Sequence, residues 1–334
     1  MASTPIVGLR LTINGFPARL WLKLESYGPH GSVKGRVALA LWQDVSNRIG
    51  PRAEIIESTS GNLGLALASL AAKQGVPFTA VVDPRSSEPV VAAIQALGGR
   101  TVTVDKPDGT GGYLLTRLSY IRERMRDQPE LVWPNQYTNP ANPRAHASGT
   151  APELRAQLPR RPMSVLVAVS TAGTLAGFRD YVATSPDWEL IGVDVVGSAA
   201  LGWERGPRLL PGIGASQQSV FLPTGYRLAL RVTPEEAVSA CVWLLESTGI
   251  GVGASSGALV AAALRLFRTV PRRSSVACLC PDGVEHYLDT VYSAHWRQRL
   301  AQVDIARGVE VTAVGPPQFD ALSGPVNRGK GKVP

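Results

Sequence analysis

Four short segments of this 334-residue chain bring together residue types that can do chemistry. Lys34 lies in Pro29-His30-Gly31-Ser32-Val33-Lys34-Gly35-Arg36, just after the strand-like run Leu20-Trp21-Leu22-Lys23-Leu24-Glu25. A lysine between a buried strand and a helix loses hydration, so its amine titrates low and can form a Schiff base. Taken alone, the segment also reads as a loop with a surface lysine. The second segment, Glu57-Ser58-Thr59-Ser60-Gly61-Asn62-Leu63-Gly64, runs into Leu65-Ala66-Leu67-Ala68-Ser69-Leu70-Ala71-Ala72, a strong helix former. Hydroxyl and amide side chains at a helix N-terminus leave backbone N–H groups free to hold a carboxylate, or else cap the helix and nothing more.

The third segment, Ser170-Thr171-Ala172-Gly173-Thr174-Leu175-Ala176-Gly177, follows the apolar strand Val165-Leu166-Val167-Ala168-Val169. Small residues before a helix let the backbone close on a phosphate, although a plain strand-to-helix turn has the same composition. The glycine spacing matches neither a dinucleotide fingerprint nor a P-loop, and one phosphate group fits better than a pyrophosphate. The fourth segment, Gly249-Ile250-Gly251-Val252-Gly253-Ala254-Ser255-Ser256-Gly257-Ala258, opens an Ala/Leu-rich helix. A serine there caps the helix or hydrogen-bonds a ring nitrogen. A neutral partner would leave such a nitrogen largely unprotonated, which suits β-elimination and β-replacement.

Elements that could position these segments are legible in outline. Strands alternate with Ala-rich helices, which predicts an α/β fold with mostly parallel sheets covered on both faces. The length allows two such domains around a cleft. Apolar stretches are too short to span a membrane, and Met1-Ala2-Ser3-Thr4-Pro5 is no signal peptide. Cys241, Cys278 and Cys280 read as buried free thiols in a reducing cytoplasm, and the 4 histidines lack metal-ligand spacing, so no metal is expected. The formal charge of +8 comes partly from the tail, Asn327-Arg328-Gly329-Lys330-Gly331-Lys332. Without a basic block interleaved with aromatics it argues against nucleic acid and favours acidic small substrates. From about Val303 the period is lost, which predicts a disordered tail over residues 304–334.

In this order and spacing the four segments resemble the fold type II (tryptophan synthase β-like) pyridoxal-phosphate (PLP) enzymes of the cysteine synthase family. The resemblance runs from Thr4-Pro5 to about Trp296, through Gln136-Tyr137, Asn139-Pro140-Ala141-Asn142-Pro143, His146, Thr150-Ala151-Pro152-Glu153, Gly212-Ile213-Gly214-Ala215-Ser216 and Pro281-Asp282-Gly283-Val284-Glu285-His286-Tyr287. It implies two doubly wound domains: a smaller mobile one over residues 37–148, and a larger cofactor-binding one from residues 1–36 and 149–303. It also implies a homodimer acting on small amino-acid substrates.

Carried onto this chain, the resemblance makes Lys34 the cofactor-linked catalytic lysine. Ser170, Thr171, Ala172, Gly173 and Thr174 become the phosphate cup, Asn62 the partner of the phenolic oxygen, and Ser255 that of the pyridine nitrogen. Thr59, Ser60, Asn62 and Leu63, helped by Gln136, become the loop that closes on the substrate α-carboxylate. Sulfide-using cysteine synthases usually carry Asn, Asp, Thr and Gly where this chain has Gly28, Gly35, Leu63 and Ser170. Ser-Gly-Asn-Leu-Gly, Ser-Thr-Ala-Gly-Thr and Leu210-Pro211-Gly212-Ile213-Gly214-Ala215-Ser216 look instead like a subgroup of siderophore or antibiotic biosynthesis. That subgroup joins O-phospho-L-serine to L-glutamate, making N-(2-amino-2-carboxyethyl)-L-glutamate on the way to 2,3-diaminopropionate.

The implied activity is thus a β-replacing transferase in which Lys34 also serves as base for the α-proton. A phosphoserine donor needs a cation near its phosphate. Arg208, before the Gly212 loop, is the first candidate and Arg205 the second, although either also reads as a solvated charge. A sulfide-using cysteine synthase, a serine or threonine dehydratase and a non-catalytic binding partner are the alternatives. The last has no need of Lys34, Asn62, Ser255 and an intact cup.

Overall fold

The computed structural model describes residues 2–59, 61–109, 111–184, 187–222, 228–270 and 274–319. Its first strands are β1 (Ile6–Ile13), β2 (Phe16–Leu24), β3 (Glu54–Ser58), β4 (Phe78–Val82), β5 (Arg100–Thr103) and β6 (Leu131–Val132). They are followed by β7 (Met163–Ala168), β8 (Trp188–Val195), β9 (Ala229–Val232), β10 (Ser275–Cys280) and β11 (Val309–Val314). The helices used below are α1 (Lys34–Val45), α2 (Asn62–Gln74), α3 (Glu88–Ala96), α4 (Leu114–Asp127), α5 (Ala141–Ala145), α6 (Ala151–Gln157), α7 (Gly173–Val182), α8 (Pro234–Thr248) and α9 (Ala254–Thr269).

Two sheets result. A seven-stranded sheet runs β11-β1-β2-β10-β7-β8-β9, and a four-stranded sheet runs β5-β4-β3-β6. The small sheet is parallel throughout. The large sheet is parallel from β2 to β9 and antiparallel only across β11, β1 and β2. This is the expected α/β class with mostly parallel sheets. Continuous burial along β10 and most of β7 follows from helices covering both faces. Leu63, Leu67, Ile55, Phe78 and Ile94 share the core of the small lobe. In the large lobe α9 is buried along most of its length against the sheet. Among the described residues no helix is long and apolar enough to cross a membrane.

The expectation of disorder from residue 304 fails for β11. Val309–Val314 alternates partly buried and exposed residues and pairs antiparallel with β1, Leu9 facing Val314. The segment reaches further, with Ile6 N–H donating to Gln318 O at 2.7 Å and Gln318 N–H to Ile6 O at 2.9 Å. A period-two edge strand satisfies its backbone in the sheet, and Pro316-Pro317 beside it conceal the pattern in sequence. Residues 320–334 of the expected tail lie outside the described residues.

A buried charge network joins β2, α1 and α6. Lys23, fully buried, donates to Thr4 O at 2.5 Å and Gln157 Oε1 at 2.7 Å, and pairs with Glu153. Arg36 donates Nε to Glu25 Oε2 at 2.7 Å and Nη1 to Glu153 Oε2 at 2.8 Å. Burial alone would raise the Glu153 carboxyl, but hydrogen bonds from Arg36 and Lys23 prevail and hold it at about 2. That depressed value stabilises the fold above the ordinary value of 4.5, and the contribution is lost as pH falls through about 2. Glu153→Gln removes the ion-pair partner of Lys23 and leaves Glu25 as the network's one anion facing two buried cations. The expected loss is about 3–5 kcal/mol in equilibrium urea unfolding, and a loss near zero would show the pair to be dispensable.

Candidate active site

The four sequence segments come to carboxyl ends of parallel strands or first turns of helices, where open α/β sheets place their ligands. Lys34 is the first residue of α1 and partly buried. Its turn is anchored to the end of β10 by Val33 N–H donating to Pro281 O at 2.8 Å and by a bridge between Ser32 and Asp282. Burial lowers the amine from its ordinary value of 10.5, against the pull of Asp282. A Cβ at Gly35, where sulfide-using enzymes carry Asp, would meet the His30 ring at 2.9 Å.

The loop after β3 is held from below. Thr59 N–H donates to Val81 O at 3.1 Å, and Thr59 Oγ1 accepts from Gly64 N–H at 2.9 Å. Glu57 accepts from Ser58 N–H at 2.9 Å, Trp133 Nε1 at 3.0 Å and Gln136 N–H at 3.2 Å. Gln136 Nε2 donates to Ser58 O at 2.9 Å. Leu63 turns its side chain into the small-lobe core, so its backbone N–H is what it can offer a carboxylate. Asn62 Nδ2 crosses to the large lobe and donates to Asp282 Oδ2 at 2.8 Å. Ser60 lies outside the described residues.

At the expected phosphate cup the chain leaves β7 and turns through Ala172, whose φ of 62° is left-handed, into α7. The first-turn N–H groups of α7 have no intrahelical acceptor and point outward from the helix end. Ser170 Oγ donates to Gly214 O at 3.2 Å, and Ser219 Oγ to Thr171 O at 2.6 Å. A Cβ at Gly173 would meet Asn142 Oδ1 at 2.2 Å, which explains why only glycine fits there. Thr174 Oγ1 is 3.2 Å from His146 Nε2. Burial, with the charges of Lys34 and Arg36, lowers His146 to about 3, so the ring is neutral and only holds the threonine. Ser255 is buried in the first turn of α9.

The arginines divide differently from expectation. Arg208 is exposed on the loop after β8, its Cδ 3.2 Å from where a Gly214 Cβ would be, with Asp194 and Arg85 as the charges it feels. Arg117 on α4 is buried, and its Nε is 3.5 Å from Asp83 Oδ2. Both Nε and Nη1 of Arg117 lack a hydrogen-bond partner, and its charge reaches Tyr137, whose hydroxyl donates to Ser58 O at 3.4 Å. One signal for Arg117 was available: it shares the buried stripe of α4 with Leu114, Leu118 and Ile121.

A family profile described as "Pyridoxal-phosphate dependent enzyme" matches residues 1–282. The chain belongs to this pyridoxal-phosphate-dependent family. An N-(2-amino-2-carboxyethyl)-L-glutamate synthase of Cupriavidus metallidurans is 39% identical over 309 residues, 90% of each chain. A protein of the same name from Ralstonia nicotianae is 38% identical over 305 residues, again 90% of each. Among solved structures, the O-acetylserine-dependent cystathionine β-synthase of Helicobacter pylori is 30% identical with a TM-score of 0.76, covering 85% of this chain and 92% of that one.

The residues present fit PLP, the family's cofactor. A desolvated lysine amine, an open helix N-terminus flanked by Thr171 and Thr174, and a hydroxyl at the head of α9 are the three contacts its aldehyde, phosphate and ring nitrogen call for.

Burial pushes the Glu57 carboxyl up to about 7, despite donors from Trp133, Gln136 and Ser58. With its folded value raised above 4.5, this group's stabilisation is full below 4.5 and is lost as pH rises through about 7. Thermal melts of the wild type should therefore fall across that window, and Glu57→Gln should flatten the slope, leaving the shares of Asp194, raised by burial to about 6, and of Asp282, also raised by burial. An unchanged slope would mean that Glu57 is ionised throughout.

Proposed function

We propose that this chain is a PLP-dependent β-replacing transferase that joins O-phospho-L-serine to L-glutamate, releasing phosphate and N-(2-amino-2-carboxyethyl)-L-glutamate, a precursor of 2,3-diaminopropionate. Arg117 is the observation that favours a phosphate donor: a buried guanidinium whose Nη1 has no hydrogen bond and whose Nε meets Asp83 only at 3.5 Å, its charge felt by Tyr137 under the carboxylate loop. Asp83 balances its charge at long range, and a dianionic phosphate would supply the close charge-assisted hydrogen bonds that the guanidinium lacks. In this reading Arg117 replaces Arg208 as the donor-binding cation. The likeness to two N-(2-amino-2-carboxyethyl)-L-glutamate synthases supports glutamate as the second substrate.

Bound PLP supplies the electron sink for loss of the α-proton and departure of the β-substituent. Lys34 would hold it covalently, Ser170, Thr171, Ala172, Gly173 and Thr174 its phosphate, Asn62 its phenolic oxygen and Ser255 its ring nitrogen. The lowered amine of Lys34, once released, accepts the α-proton. Thr59, Ser60, Asn62 and the Leu63 N–H close on the α-carboxylate, with Gln136 bracing the loop from below. The β-carbon loses its C–O bond to phosphate and gains a C–N bond from the glutamate amine, whose surplus proton is balanced by the one the departing phosphate takes up, and Lys34 returns its proton to the α-carbon. Movement of the lobe over residues 37–148 against the rest would exclude water from that carbon. We further take the working form to be a cytoplasmic homodimer, a reading that the three buried free thiols suit.

The Helicobacter pylori relative favours a second reading, in which O-acetylserine is the donor. The two are separated by phosphate release from O-phosphoserine with and without glutamate, against acetate release from O-acetylserine with sulfide. Faster turnover of the first pair is expected, and faster turnover of the second would reverse the assignment. Arg117→Gln should raise the apparent KM for O-phosphoserine about ten- to a hundredfold, from roughly 1.5–3 kcal/mol of lost charge-assisted bonding, and spare O-acetylserine. Arg208→Gln should leave both nearly unchanged. Equal losses on both donors in the Arg117 variant would remove it from the phosphate site.

A further inference from the structure

Asp282 follows β10 and is buried, yet it belongs to none of the roles assigned above. Its Oδ2 accepts from Asn62 Nδ2 at 2.8 Å and from the Tyr287 hydroxyl at 2.9 Å. Its Oδ1 has no partner and occupies the place of a Gly253 Cβ, 2.0 Å from where that atom would be. Backbone bonding brings it next to the lysine turn, through the Ser32–Asp282 bridge and Val33 N–H on Pro281 O at 2.8 Å. One residue therefore meets the tip of α2 from the small lobe and the glycine before α9 through its carboxylate, and the turn before Lys34 through its backbone.

We propose that Asp282 is a positioning residue for Lys34: a single buried carboxylate that ties the tip of α2 to the large lobe and sets the charge that the Lys34 amine faces. The proposal rests on Lys34 being the cofactor lysine. The charged groups that bear on Asp282 are Lys34 from α1 and Glu285 and His286 from the segment after β10. Tyr287, Tyr292 and the thiols of Cys241 and Cys280 also face it, and burial pushes all four up, so they stay neutral at working pH. Burial raises the Asp282 carboxyl as well, opposed by the hydrogen bonds from Tyr287 and Asn62; in its ionised form it is the anion that opposes desolvation of the amine and favours the protonated form. Asn62 is bound to Asp282 here, so the group that the family resemblance gives to the cofactor's phenolic oxygen is held in place before that oxygen arrives.

The test uses the full-length chain stripped of PLP. The rate at which added PLP is captured, followed by its visible band and mapped by borohydride reduction, is measured against pH. Capture requires the neutral amine, so its midpoint reports the proton affinity of Lys34. Asp282→Asn keeps the side chain's shape but removes the charge, and should move the midpoint down by about one unit or more. Asn62→Ala should leave the midpoint in place but speed amide exchange over residues 63–66 about tenfold, because the tie is lost and the charge kept. An unmoved midpoint in Asp282→Asn, with the label on Lys34, overturns the proposal alone. Label on a different lysine overturns both the proposal and the assignment of Lys34. Should Asp282→Asn not fold, Asn62→Ala decides: wild-type exchange at residues 63–66 overturns the proposal.

Discussion

Lys34 can be a desolvated amine at a fixed place only because the helix it begins is pinned two residues later. Arg36 spans two carboxylates, Glu25 at the end of β2 and Glu153 on α6, while Lys23 reaches the same Glu153 from within β2. Two cations and two anions share one buried volume, so their net charge cancels where an unmatched charge would be costly. The network also grips the segment after β11, since Gln157 donates to the carbonyls of both Thr4 and Phe319. Strand β2, the lysine helix, α6 and the segments around Thr4 and Phe319 are thereby tied together. The turn into α7 and the helix that carries Ser255 pack on the same seven-stranded sheet as the strands that anchor the lysine turn.

The small lobe has its own parallel sheet and core. It meets the large lobe where α5 packs on α7, with Pro143 O against Gly177 and His146 Nε2 3.2 Å from Thr174 Oγ1, and through two side-chain amides, Asn62 on Asp282 and Asn142, which donates to Gln136 O at 2.7 Å and lies 3.4 Å from Thr171 Oγ1. The Asn62 contact is a hydrogen bond weak enough to exchange for a substrate carboxylate or a cofactor oxygen. The β-replacement proposed above asks for this division: a fixed lysine and cup, with a carboxylate loop that opens and closes on them.

Much of this was legible in the sequence because each motif marks a strand-to-helix junction, and parallel α/β sheets bring such junctions to one edge. Lys34, the Asn62 loop, the Ala172 cup and Ser255 fall at those junctions in the structure. What escaped was set by long-range packing. Arg117 reads as one of several arginines on α4 until its partners show that it faces inward. Arg208 does lie beside the glycine loop, its Cδ 3.2 Å from where a Gly214 Cβ would be, although the residue as a whole is exposed. Asp282 and Asn62 are far apart in sequence, and only the meeting of the lobes reveals their bond. β11 is a half-exposed edge strand, whose weak alternation a flanking Pro-Pro pair obscures.

The most direct measurement of the central claim is the isotopic composition of the product. Enzyme loaded with PLP is given 13C-labelled O-phospho-L-serine and 15N-labelled L-glutamate, and the product is analysed by mass spectrometry. One molecule carrying both the 13C of the donor and the 15N of glutamate is the expected result, since the new bond joins the donor β-carbon to the glutamate nitrogen. Labelled pyruvate and ammonia, or a donor-derived product without 15N, would contradict it.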